Sequence, residues 1–180
     1  MLQITIPETE TYDEQLEEFI STKRETFQIE HSLVSISKWE SKWNIPFLGK
    51  DNKTKEQVLD YIRCMTITQN VSVNAYIAIP PATLKVISDY IAESMTATWF
   101  SERKNTKETG EVITSEIIYY WMITHNIPME CQKWHLNRLL TLIRVCNIKN
   151  APAKKMNKKE MLAERKRLNS ARRKEAETKG

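Results

Sequence analysis

Glycine is the residue this chain most lacks, and its scarcity limits the possible folds more than any motif does. Only three occur in 180 residues, at Gly49, Gly110 and Gly180. A dinucleotide fingerprint needs three glycines within about six residues, and a P-loop needs two at fixed spacing ahead of Lys and Ser/Thr. Neither can be assembled from those positions. The many tight turns of a β-sandwich or barrel also call for residues that tolerate positive φ. The chain is therefore expected to be mainly α. With 41% hydrophobic and 28% charged residues, it has the apolar content for a single core together with a solvated extension.

Periodicity divides the sequence into elements. Residues 2–6 alternate, with Leu2, Ile4 and Ile6 on one side before Pro7, and Thr26 to Glu30 alternates around Phe27 and Ile29. Both read as short half-buried strands that pair with each other. Residues 13–20 between them read as a short helix with Leu16, Phe19 and Ile20 turned inward. From Ser32, a predicted N-cap, the period becomes helical through Ile36, Trp39 and Trp43, and it stops at Asn44 ahead of Pro46. A second helix is predicted over residues 55–68 with Thr54 as its cap, and a third opens at Pro80 and Pro81 with Leu84, Ile87 and Ile91 on one face. Residues 101–111 are polar and read as an exposed loop.

The densest apolar signal follows. Residues 113–126 are apolar almost all round, which predicts a central helix covered on most sides. After Pro128, residues 129–147 carry Leu136, Leu139, Leu140, Ile143 and Cys146 as one stripe, with Lys133, Asn137, Thr141 and Arg144 opposite. Two such helices joined by a short link are expected to pack as an antiparallel hairpin.

Charge then separates body from tail. Residues 153–180 hold eleven Lys/Arg and four Asp/Glu, a net +7, so the rest of the +4 chain carries 4 − 7 = −3. Residues 8–18 contain Glu8, Glu10, Asp13, Glu14, Glu17 and Glu18 and no basic residue. The sequence thus predicts a helical core domain with an N-terminal two-stranded β element over residues 1–152, and a basic tail, helical or disordered, over 153–180. Asn157 with Glu160 marks a helix start for residues 158–176, although little apolar surface is available there to hold it. The acidic front and the basic tail offer a route to self-association.

Chemistry is sparsely signalled. His31, His125 and His135 fit no HExxH, and a zinc site from His125, Cys131, His135 and Cys146 follows no established ligand spacing. Ordinary packing accounts better for the two cysteines, with His135 at the surface or hydrogen-bonded. Glu30, His31 and Ser32 are adjacent, but at a strand end they point to different sides, so they read as a helix cap and two surface residues rather than a catalytic set. Cys64, Cys131 and Cys146 have no CxxC spacing and read as reduced thiols of a cytosolic protein. No catalytic residue, cofactor or metal is expected. The N-terminus lacks the basic flank and apolar run of a secretory signal, and no stretch reaches the roughly 20 apolar residues of a membrane span. Five tryptophans, Trp39, Trp43, Trp99, Trp121 and Trp134, are read mainly as core, with one or two available to line a peptide groove. The tail has no aromatic residue, so base stacking on single-stranded nucleic acid is disfavoured.

Three segments carry a family resemblance: HSLVSISKWESKWNIPF at 31–47, DYIRCMTITQNV at 60–71, and ITSEIIYYWMITHNIPMECQKWHLNRLLTLIRVCNIKN at 113–150. Together they resemble small proteins encoded in the tail-gene region of long-tailed bacteriophages and prophages, described as tail assembly chaperones. The resemblance covers most of residues 2–156. It departs from the family at Ala151, Pro152 and Ala153, where two adjacent prolines are expected before KKM.

The resemblance implies a non-enzymatic protein of the host cytoplasm. It would bind the tape-measure protein, and keep it soluble while tail-tube protein polymerises around it. The alternatives are a structural virion component of the tail or neck, or a nucleic-acid-binding protein acting through the basic tail. Partner contacts are predicted at Lys133, Asn137 and Arg144 on the last core helix. In the tail they are predicted at Lys154, Lys155, Lys158, Lys159, Arg165, Arg172 and Arg173.

Overall fold

A computed structural model of the chain describes residues 1–13, 17–100, 112–151 and 158–175. The fold is mainly helical with a small N-terminal sheet, as the glycine count and periodicity predict. Strand β1 (Leu2–Ile6) pairs antiparallel with β4 (Glu25–Ile29) in the register Leu2↔Ile29, Ile4↔Phe27, Ile6↔Glu25. The alternation works as expected, since Ile4, Ile6, Phe27 and Ile29 are buried and the intervening residues face outward.

Among the described residues the short helix predicted at 13–20 is replaced by strand. Asp13 ends β2 (Thr9–Asp13) and residues 18–20 begin β3 (Glu18–Thr22), which pair as a hairpin with Tyr12 directly opposite Phe19. Cross-strand contact of those rings, tilted by 59° with 5.1 Å between centroids, stabilises a strand pair that includes Thr, Tyr, Phe and Ile, residues that suit a pleated surface. Phe19 is exposed rather than inward. Leu16 lies outside the described residues.

Helix α1 (Leu33–Trp43) begins and ends where its signals stand. The Ser32 hydroxyl accepts from Ser35 N–H, and Asn44 takes the left-handed conformation, its N–H donating to Glu40 C=O. Helix α2 (Lys55–Met65) is capped by Thr54, but it stops three residues short of its predicted end at 68. The chain there is drawn into the sheet. Glu30 N–H donates to Met65 C=O at 2.9 Å and Ile67 N–H to Gln28 C=O at 2.8 Å, and the Thr68 hydroxyl accepts from Gln28 N–H. Residues 66–68 thus flank β4 on the side away from β1.

Helix α3 (Val73–Ile77) follows, capped by Ser72, and then α4 (Pro81–Ala92), opened by Pro81 at its first turn. Helix α5 (Ser115–Thr124) buries Ser115, Ile118 and Met122, but the expectation of cover on most sides is overturned because Tyr120 and Ile123 face solvent.

The single helix predicted over 129–147 is also corrected. A 3-10 helix (Met129–Lys133) is followed by extended residues and then α6 (Leu136–Asn150). The break has a tertiary cause. Ser32 and His135 form a β-bridge, and Leu136 N–H donates to His31 C=O at 2.7 Å. That pairing straightens the chain where periodicity alone would continue the turn. In place of an antiparallel hairpin, both α5 and the 3-10 helix pack on α1, and the Tyr119 hydroxyl bonds Gln132 at 2.9 Å to hold them together.

One core unites Ile36 and Trp39 of α1, Tyr61, Ile62 and Met65 of α2, Ile118 and Met122 of α5, and Leu139 and Ile143 of α6 against the β1–β4 sheet. Each fully buried aliphatic side chain contributes about 1.5–3 kcal/mol. The compact unit runs Met1–Cys146 and a second unit begins at Asn147. The second unit holds helix α7 (Lys158–Glu175), which falls within the predicted 158–176. Asn157 and the loop 101–111 lie outside the described residues. Among the described residues no helix is long and apolar enough to cross a membrane.

Candidate functional site

Two polar arrangements stand out, one closed and one open. The closed one surrounds His31, which is 2% exposed and so is not the surface residue expected from its position at a strand end. Its Nδ1 lies 2.6 Å from the Tyr61 hydroxyl. The Ser35 hydroxyl, which donates to Ser32 C=O, lies 3.4 Å from the same Tyr61 oxygen. His135, also buried, donates from Nε2 to Tyr90 C=O at 3.0 Å and accepts at Nδ1 from Asn137 N–H. One neutral tautomer satisfies both bonds. Tyr90 in turn donates to Glu30 at 2.6 Å.

Burial first, then the charge of His135, lowers the His31 pKa to about 4, against an upward pull from Glu30. Burial raises the Tyr61 and Tyr90 hydroxyls, Tyr90 further through its bond to Glu30. These groups are buried and hydrogen-bonded within the seam. They lock β4, α2, α4 and the start of α6 together.

The open arrangement is a groove beside α2. Helix spacing builds its walls: Leu59, Asp60 and Arg63 lie on one face of α2, Lys38 and Lys42 on one face of α1, and Val73, Tyr76 and Ile77 along α3. It comprises a cleft of about 420 Å³ reaching Lys38, Cys64 and Asn70 and an adjoining cleft of about 210 Å³ reaching Lys42, Glu56 and Ile77. The two share Asp60, Arg63, Val73 and Tyr76. Val73 and Ile77, 55% and 47% exposed, stand side by side with Leu59 and Tyr76 along the smaller cleft.

The electrostatics of the groove are largely settled within it. Burial alone would raise the Asp60 carboxyl, but hydrogen bonds from Lys42 and Trp43 and the charges of Lys42 and Arg63 outweigh it and hold the group below its ordinary range. Burial and the Asp60 charge push the Cys64 thiol upward, so it remains protonated at neutral pH and is a poor nucleophile. The Arg63 guanidinium lies 5.8 Å from the Tyr76 ring centroid, over an aromatic face where a cation is favoured. The groove therefore offers a cationic edge and an apolar floor, which suits binding an amphipathic segment more than bond-breaking chemistry.

The partner contacts predicted from sequence are differently placed. Lys133 ends the 3-10 helix and is exposed, so it does not continue a stripe with Asn137 and Arg144 on α6. The Asn137 side chain is not a free contact, because its Nδ2 donates to Ile91 C=O at 3.0 Å and Glu93 C=O at 2.8 Å, closing the end of α4. Arg144 lies with its guanidinium 4.2 Å from the Phe100 ring centroid. Lys158, Lys159, Arg165, Arg172 and Arg173 belong to α7, where the last three are exposed. Lys154 and Lys155 lie outside the described residues.

Of the tryptophans, Trp39 is fully buried and Trp99 is exposed. The three cysteines are free, and among the described residues no group of three or more His, Cys, Asp or Glu is placed to hold a metal ion. Sequence reading missed the groove; the available signal was Ser72 as a cap with Val73, Tyr76 and Ile77 at helical spacing behind it. No protein-family model, curated protein or solved structure matches the chain.

Proposed function

We propose that this protein is a non-enzymatic tail assembly chaperone of a long-tailed phage. It binds apolar helical segments of the tape-measure protein and keeps that protein soluble in the host cytoplasm until tail-tube protein polymerises around it. The observation that carries the binding role is the α2–α3 groove, where exposed Val73 and Ile77 stand beside Arg63. An amphipathic helix laid into such a groove buries its apolar face and meets a cation at the edge with its acidic residues. The client itself is proposed from the resemblance of residues 31–47, 60–71 and 113–150.

Co-expression tests both parts. The soluble fraction of the tape-measure protein rises with this chain and falls back with Ile77→Asp, while circular dichroism of the variant stays native. An equal yield of aggregate with and without the chain overturns the proposal. Mass spectrometry of purified particles separates the competing structural role, because a stoichiometric band at this mass assigns the chain to the virion.

A further inference from the structure

The β2–β3 hairpin and helix α7 each present an apolar pair framed by charge, of opposite sign. On the hairpin, Tyr12 and Phe19 share one face as a directly opposed pair, and they are 50% and 74% exposed. Glu10 is on the same face two residues from Tyr12, and Glu17 stands at the turn with φ 52°. On α7, Met161, Arg165, Leu168 and Arg172 recur at spacings of four, three and four, which places them on one side of the helix. Met161 and Leu168 are exposed, as is neighbouring Leu162. Successive turns of that stripe alternate apolar and cationic side chains, the complement of an aromatic pair with a carboxylate on its own face.

We propose that α7 of one copy docks on the β2–β3 hairpin of a second copy. Charge selects the occupant: the arm carrying α7 has a net charge of +7, whereas residues 8–18 contain six acidic residues and no basic one. An 18-residue helix with little apolar surface is marginal in water by itself, and docking supplies the missing burial. Tyr12 and Phe19 on the hairpin and Met161 and Leu168 on α7 are each exposed. Each copy carries one arm and one hairpin, so two copies exchange arms and satisfy both contacts in a closed two-fold pair. The guanidinium groups and carboxylates fix register while the rings and aliphatic chains supply most of the burial.

The test uses the full chain in sedimentation equilibrium at low and high salt, after nuclease treatment. The wild type shows twice the 21.1 kDa chain mass at low salt and shifts toward the single-chain mass as salt rises. R165E/R172E and E10K/E17K each sediment at the single-chain mass, and an equimolar mixture of the two regains twice that mass. M161D/L168D, which changes α7 alone, also sediments at the single-chain mass. A single-chain mass for the wild type at tens of micromolar, the usual range for a specific weak pair, overturns the proposal. So does an unchanged mass in the reversal variants, or a mixture that stays at the single-chain mass, as docking within one chain gives. Loss of the doubled mass on nuclease treatment overturns it in favour of bridging by nucleic acid.

Discussion

The imidazole Nδ1 of His31 and the hydroxyl of Tyr61 stand 2.6 Å apart in the buried seam joining the end of β4 to α2. That seam keeps the ring neutral. Its pKa of about 4 lies below the ordinary 6.5 because of burial, the His135 charge adding to the effect and Glu30 opposing it.

A pH dependence follows from this seam. The unfolded chain protonates His31 near its ordinary value, the folded chain only near 4. Between those values the unfolded state holds more protons, so stability declines as pH falls through the window and the loss is complete below it. The full loss is about 3 kcal/mol. Urea unfolding from neutral pH down to about pH 4.5 should show this slope, and His31→Gln should flatten it. Asp60, held below its ordinary range, loses its contribution only at still lower pH.

Glu40 is a buried clamp. One carboxylate oxygen accepts from Phe47 N–H and the other from Ser115 N–H, each at 2.8 Å, so one side chain closes the loop after α1 and satisfies the first N–H of α5. Glu40→Ala orphans both donors at about 1–3 kcal/mol each. Glu40→Gln retains one acceptor and should fall between that variant and the wild type in denaturant midpoint.

Asn137 distinguishes a partner contact from a structural tie. Because its amide closes the last carbonyls of α4, Asn137→Ala should lower stability by about 1–2 kcal/mol and leave client solubilisation at matched folded concentration unchanged. Selective loss of client binding with unaltered thermal unfolding would contradict this assignment.

Asn44 tests how a glycine-poor chain makes its turns. It sits at φ 54°, ψ 32° beyond α1, so Asn44→Gly should be neutral or slightly stabilising. Asn44→Val should cost about 1–2 kcal/mol, since a β-branched residue is strained there. Differential scanning calorimetry of the two variants would show it.

Local signals were legible in the sequence. Ser32, Thr54 and Asn44 mark helix ends because their chemistry acts within a few residues, and the alternation of Leu2–Ile6 shows which side chains are buried. Features that depend on distant pairing were hidden. The Ser32–His135 bridge breaks the apolar stripe after Pro128, and β4 draws Thr66 out of α2, yet neither residue advertises its partner. The hairpin at 9–22 was misread because Phe19 and Ile20 fit an inward helix face as well as a strand. The groove was invisible for a related reason: its walls come from α1, α2 and α3, and no single period describes it. On α5, an apolar composition concealed that Tyr120 and Ile123 point outward.

The segment Glu25–Ser32 is gripped along its length, first by β1 on one side, then by residues 66–68 on the other, and finally by His135 and Leu136. The outer-edge amides of Gln28 and Glu30 are held by the Met65–Thr68 stretch, so their exchange is tied to the end of α2. Opening the segment releases the ends of α2 and α6 together, and closing it recruits parts of the chain made long after it. A ribosome-bound fragment ending before Leu136 would hold β1, β4 and α2 with one edge still unpaired, and the body would become a single cooperative unit only when that late stretch emerges.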